Sequence, residues 1–136
     1  KFIIFFETED NSVGHWECCF INRNKKIIEF FDSYGLEPDK AEQFLSSNLQ
    51  IKLKENKPLL TPLFKASLQS GYNCIYSSFR YQEMEGNIST CGRWCSIRLK
   101  YMNLTDDEFF KKINNLKIKW NLPTFDNVVT KMTIQY

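Results

Sequence analysis

The chain has 136 residues, 43% of them hydrophobic and 25% charged, with a net charge of +2 at pH 7. That length suits one domain spanning residues 1–136, that composition excludes a disordered chain, and so small a charge demands neither nucleic acid nor a membrane surface as partner. Five cysteines, an odd number without regular spacing, exclude a disulfide framework and point to free thiols in a reducing compartment.

The first half reads as strands and turns. Lys1 to Phe6 is an apolar run suited to a buried strand, and Glu7 to Gly14 is polar and turn-like. Trp16 to Asn22 and Lys26 to Phe31 are strand candidates joined by the short connection Arg23-Asn24-Lys25. Ser33-Tyr34-Gly35 breaks the pattern. Ala41, Phe44, Leu45 and Leu49 then fall at helical spacing on a segment, Asp39 to Leu49, opened by Pro38. Lys52 to Pro62, polar with two prolines, reads as a loop between two halves.

The second half opens with an extended stretch, Tyr72 to Tyr81. Cys91 to Asn103 follows a 3.6-residue period, with Ser89-Thr90 placed to cap it. Thr105 to Glu108 is a capping box for a helix carrying Phe109, Phe110, Ile113 and Leu116. Val128 to Tyr136 is β-branched enough to suggest a closing strand. The expected class is α+β: a small twisted sheet packed on helices. No apolar run reaches 18 residues, so no membrane span is expected.

Three residues suggest covalent chemistry. His15, the one histidine, stands at the junction of a polar loop and a strand, where a side chain can project into a cleft. Asp32 ends the next strand. If the two strands form a hairpin, the residues meet at its open end, and the carboxylate can fix the imidazole tautomer. The alternative is that Asp32 only caps the following turn. Cys91 opens a helix, where the dipole and unpaired amides favour a thiolate and can hold an oxyanion. Gly92 beside it leaves room for a substrate backbone. Cys95, one turn on in an apolar stripe, reads as structural, and Cys18 and Cys19 point to opposite faces of a strand.

In chain order these are His, Asp, Cys. The segment Gly14 to Gly35 (GHWECCFINRNKKIIEFFDSYG) resembles the His-Trp strand and acid-bearing strand of the adenain family of viral cysteine endopeptidases, whose arrangement the SUMO-deconjugating peptidases share. Gly86 to Cys95 (GNISTCGRWC) resembles the nucleophile motif of that family, including members from large DNA viruses and virophages.

The resemblance implies His15 as general base, Asp32 as orienting acid, Cys91 as nucleophile and Trp16 over a narrow groove admitting glycine-rich sequence. It also implies a side-chain amide at the oxyanion. Here Met84 and Glu85 stand at the nearest positions, and Gln82, nine residues before Cys91, is the available glutamine. Cys74 falls near the cysteine that in adenain tethers an activating viral peptide; its plain reading is a strand thiol. The implied substrate is a viral polyprotein or capsid precursor cut after small residues in the virion or infected cell, by a monomer needing no cofactor for the chemistry itself. DNA is a further activating partner the family suggests, and Lys111 to Lys119 is the basic stretch that would meet it. Relatives carry a segment ahead of the His strand, so a catalytic core short of its N-terminal part is expected.

Three rival readings remain. A ubiquitin- or SUMO-type deconjugase would keep the chemistry and change the substrate. His15, Cys18, Cys91 and Cys95 could ligate zinc in a structural module, although no CxxC pair is present. The region from Cys91 onward, with eight basic and four acidic residues, could bind nucleic acid.

Overall fold

The computed structural model describes residues 1–7, 14–45, 47–53, 57–84 and 88–134. Four strands form one sheet in the order β1 (Phe2–Glu7), β2 (Gly14–Asn22), β3 (Ile27–Asp32), β4 (Asn73–Tyr76). The first three make an antiparallel meander, and β4 joins β3 in parallel. A parallel partner requires a crossover. It is supplied by a 3-10 turn (Lys40–Phe44), α1 (Ser47–Leu53) and α2 (Leu60–Gln69). The chain then continues through α3 (Cys91–Lys100), α4 (Asp106–Lys119) and α5 (Phe125–Ile134). The class is α+β, as expected.

Strand alternation divides the core into two layers. Cys19, Ile28 and Phe30 face α2 through Leu60 and Phe64. Cys18 and Phe31 face the opposite layer, where Trp94, Cys95 and Ile97 of α3 meet Phe109 and Ile113 of α4 and Val128, Val129 and Met132 of α5. The adjacent cysteines therefore do point to opposite faces, and both are buried. In the α3 layer Arg98, fully buried, donates from Nε and Nη2 to both oxygens of Glu29 at 2.8 Å, and to the carbonyls of Tyr101 and Leu104. Its guanidinium lies between the Phe20 and Phe109 rings.

Five expectations need correction. The first strand is not buried: β1 lies at the sheet edge, with Phe2, Ile3 and Phe5 exposed. Val128 onward is helical, not a closing strand; residues 135 and 136 lie outside the described residues. Val128, Val129 and Met132 are buried at helical spacing from Phe125, and burying that stripe against α3 and α4 outweighs β propensity. The loop assigned to Lys52–Pro62 instead contains the end of α1 and the start of α2, with 54–56 outside the described residues.

Pro62 sits in the first turn of α2, where its missing N–H has no intrahelical acceptor to lose. The cap comes from far away in sequence. The Asp39 carboxylate accepts from the Leu59, Leu60 and Thr61 amides at 2.7–3.0 Å. The helix expected over Asp39–Leu49 breaks at Leu45, which is extended, and Gln50 Nε2 donates to the Glu42 and Leu45 carbonyls. Finally, α3 ends at Lys100, and Thr90 does not cap it by its side chain. The polar turn expected at Glu7–Gly14 falls mostly on residues 8–13, outside the described residues.

Candidate active site

The β2–β3 register sets Glu17 opposite Asp32, so His15, two residues earlier on the same face, reaches Asp32 diagonally across the ladder. His15 Nε2 hydrogen-bonds directly to Asp32 Oδ2. The other carboxylate oxygen accepts from the backbone amides of Tyr34, at 2.6 Å, and Leu36, at 3.5 Å. Asp32 thus hydrogen-bonds the imidazole with one oxygen and its own turn with the other. The imidazole is sandwiched further, with Tyr34 stacked on it at 4.7 Å and Phe44 edge-on at 5.9 Å.

With Nε2 committed to Asp32, the second ring nitrogen is the one left to face Cys91, and the two groups favour each other's charged form. Cys91 is the first residue of α3, where its amide has no acceptor within the helix. Burial works most strongly against its thiolate. The His15 hydrogen bond, the Trp16 amide, the imidazolium charge and the Gly92 amide together outweigh it, so Cys91 is held below the usual thiol range. His15 shows the reciprocal effect. Burial disfavours its charge, but hydrogen bonds to Asp32 and Cys91 push it up to about 9. Burial raises the Cys19 and Cys74 thiols. Cys95 is raised by its contact with Cys18 and by burial. All five cysteines are free.

Trp16, on the opposite face of β2 from His15, lies against Gly92 and packs at a tilt on Phe5, with ring centroids 4.5 Å apart. It is 40% exposed, which is high for so large a ring. A Cβ built on Gly92 would meet the indole at 3.5 Å, ordinary contact, so space for an alanine exists here. Gly14 is different: a Cβ there would stand 2.1 Å from the Phe5 ring and 2.6 Å from the Phe6 carbonyl oxygen.

Gln82 is buried beside this cluster. Its amide nitrogen donates to Tyr34 Oη and to the Ile88 carbonyl, both at 3.1 Å, and its oxygen accepts from Ser33 Oγ at 2.9 Å. Cys74 lies elsewhere. It pairs with Ile28, four residues from Asp32 along β3, and its thiol donates to the Phe64 carbonyl. The lysines of α4 are partly engaged: Lys112 and Lys117 sit over the Tyr101 and Phe125 rings at 4.8 and 4.9 Å. Lys111, Lys112 and Lys119 border an open groove along that helix.

Two residues that sequence reasoning missed support the site. Asp126 of α5 accepts from Thr90 Oγ1, from Trp94 Nε1 at 3.3 Å and from the Glu83 amide at 3.0 Å, tying the segment before Cys91 to the helical layer. Tyr34 links His15 to Gln82. Neither carried a sequence signal, because each acts through a partner distant in the chain.

The proposed zinc set of His15, Cys18, Cys91 and Cys95 does not converge; among the described residues only His15, Glu17 and Asp32 gather enough ligand-type atoms. The direct His15–Asp32 hydrogen bond already occupies the space an ion would need between them. No helix among the described residues is long and apolar enough to cross a membrane.

No family model and no solved structure matches this chain. It is similar to a protein of Sputnik virophage described as "Uncharacterized protein V9", with 33% identity over 132 residues that cover 97% of this chain and 72% of the relative.

Proposed function

The chain belongs to the family of the Sputnik virophage protein V9, and we propose that it is a cysteine endopeptidase using Cys91, His15 and Asp32. One observation carries the reading. The thiol at the first position of a helix has its thiolate favoured by an imidazole that a buried carboxylate holds through Nε2. Its thiolate is favoured, whereas three of the other four thiols are disfavoured.

The Cys91 thiolate attacks the peptide carbonyl carbon, and the Cys91 amide stabilises the resulting oxyanion. Gln82 is the side-chain donor beside it, releasing the Ile88 carbonyl to do so. The imidazolium gives its thiol-facing proton to the leaving amine as the C–N bond breaks. His15 then takes a proton from water, hydroxide adds to the thioester, and the C–S bond breaks to release the acid and restore the thiolate. Asp32 keeps the ring oriented and stabilises its charged form throughout.

Trp16 over Gly92 shapes a narrow approach that favours residues without side chains, in keeping with cleavage after glycine. A relative from a virophage agrees with a viral precursor as substrate and an infected cell as setting. Activation by a viral peptide or by DNA along Lys111–Lys119 belongs to the same proposal.

Peptides bearing glycine before the scissile bond, offered beside ubiquitin- and SUMO-type electrophilic probes, test the reading. Cleavage after glycine that disappears in Cys91→Ala and His15→Ala supports an endopeptidase. Labelling by the ubiquitin-type probes without peptide cleavage moves the substrate to conjugates. Cleavage that survives Cys91→Ala overturns the mechanism.

A further inference from the structure

The proposed chemistry leaves one buried group unused. Glu17 follows His15 by two residues on β2, so both side chains lie on one face, and in register it stands opposite Asp32. It is fully buried, and neither carboxyl oxygen has a hydrogen-bond partner. One polar atom from each of His15, Glu17 and Asp32 lies within 4.8 Å of the others.

An ionised carboxylate in such a place, without a donor and beside a second carboxylate, is strongly disfavoured. The neighbouring elements offer little relief. β1 presents Ile4 across from it, and α2 covers this face with Leu60 and Phe64. The titratable groups that bear on it are Asp32, His15 and Asp39, with the Cys19 thiol next along the strand. Of these only His15 is cationic, and it is committed to Asp32. Burial first, and the charge of Asp32 second, raise Glu17 far above the ordinary carboxyl range. A protonated carboxyl supplies the O–H that its surroundings lack, and Asp32 is the acceptor in reach.

We propose that Glu17 is a positioning residue of this site, a carboxylic acid that donates its hydrogen bond to Asp32 and completes a His15–Asp32–Glu17 chain behind the Cys91 thiol. The inference rests on the reading of Cys91, His15 and Asp32 as the active site. Asp32 is then gripped from its own turn by the Tyr34 and Leu36 amides, from β2 by His15, and across the ladder by Glu17. The grip is neutral at physiological pH, so it orients the carboxylate without adding a second negative charge to the thiolate–imidazolium pair.

The single histidine makes the test direct, since its ring resonances need no assignment against others. The Glu17 carboxyl is followed by carbon NMR in wild type, His15 by its ring resonances in wild type, Glu17→Gln and Glu17→Met, and the rate of Cys91 alkylation by iodoacetamide is measured at pH 7 in each. Gln keeps a donor and cannot ionise; Met keeps the volume and has no donor. The wild-type Glu17 carboxyl is expected to stay protonated at pH 7, its resonance unmoved while exposed glutamates have already ionised. Alkylation is expected to stay within about twofold in Gln and to fall about tenfold in Met, the scale of one hydrogen bond to a charged group.

A Glu17 carboxyl already ionised at pH 7, or equal alkylation in Gln and Met, would overturn the proposal. Should the Met variant not fold, the wild-type Glu17 resonance decides alone. A wild-type Cys91 no more reactive than an ordinary thiol would instead defeat the endopeptidase reading, with the titration still reporting on Glu17.

Discussion

Asp32→Asn removes the group that does most to keep His15 charged. His15 is pushed up to about 9 against an ordinary 6.5, even though burial pulls it down. Without the Asp32 hydrogen bond and charge, burial prevails and the imidazole returns to its ordinary value or below. The loss is about two and a half pH units, or about 3 kcal/mol of imidazolium stabilisation.

Two consequences follow. At pH 7 the Cys91 thiolate loses its cationic partner, so alkylation by iodoacetamide should slow about a hundredfold, the Trp16 and Gly92 amides offsetting part of the full effect. Stability should change as well. A base whose folded-state value is raised contributes stability that is complete below its unfolded value of 6.5 and vanishes as pH rises through about 9. Wild type should therefore lose about 3 kcal/mol in urea unfolding between pH 6 and pH 9.5 from this group, and Asp32→Asn should show a markedly flatter profile. Glu17, raised likewise, loses stability over the same rise in pH, so the comparison is between the slopes of the two proteins. A folded Asp32→Asn that alkylates within threefold of wild type at pH 7 would refute the reasoning.

Arg98→Ala should destabilise the protein by roughly 3–5 kcal/mol in urea unfolding, because it strands Glu29 in the core. The double change Arg98→Met with Glu29→Met should recover most of that loss, and no recovery would argue against burial of an unpaired charge as the cause. Gly92→Ala should fold and gain about 0.5–1 kcal/mol from helix propensity, since the added methyl only touches Trp16. Its kcat/KM on glycine-site peptides should nevertheless fall, and an unchanged value would remove Gly92 from the substrate path. Asp126→Ala strips three donors of their acceptor and should raise the proteolytic sensitivity of the segment before Cys91 more than that of β2. Uniform sensitivity would mean that Asp126 does not anchor that segment.

The strands and the site were legible because their signals are local. Apolar runs and a short connection placed β1 to β3, and the hairpin they imply brings His15 to Asp32 without knowledge of the rest. The capping box at Thr105 was legible for the same reason, and the structure forms both of its hydrogen bonds. What could not be read depends on partners distant in sequence. The cap of α2 comes from Asp39, about twenty residues earlier. The β-branched residues of α5 become helical through burial against α3 and α4, which no local propensity encodes. Glu17 carries no signal in the sequence; its burial depends on the α2 layer, whose first residues fall in the stretch read as loop.

The most direct measurement is the order in which the five cysteines react. Limited alkylation at pH 6.5, mapped by mass spectrometry, sets Cys91, only 4% exposed, against the more accessible Cys74. If a thiolate–imidazolium pair occupies the head of α3, Cys91 reacts first despite its burial, by at least about tenfold, and His15→Ala abolishes that lead. If Cys74 reacts first, or if Cys91 keeps its lead in a folded His15→Ala protein, the catalytic pair does not exist.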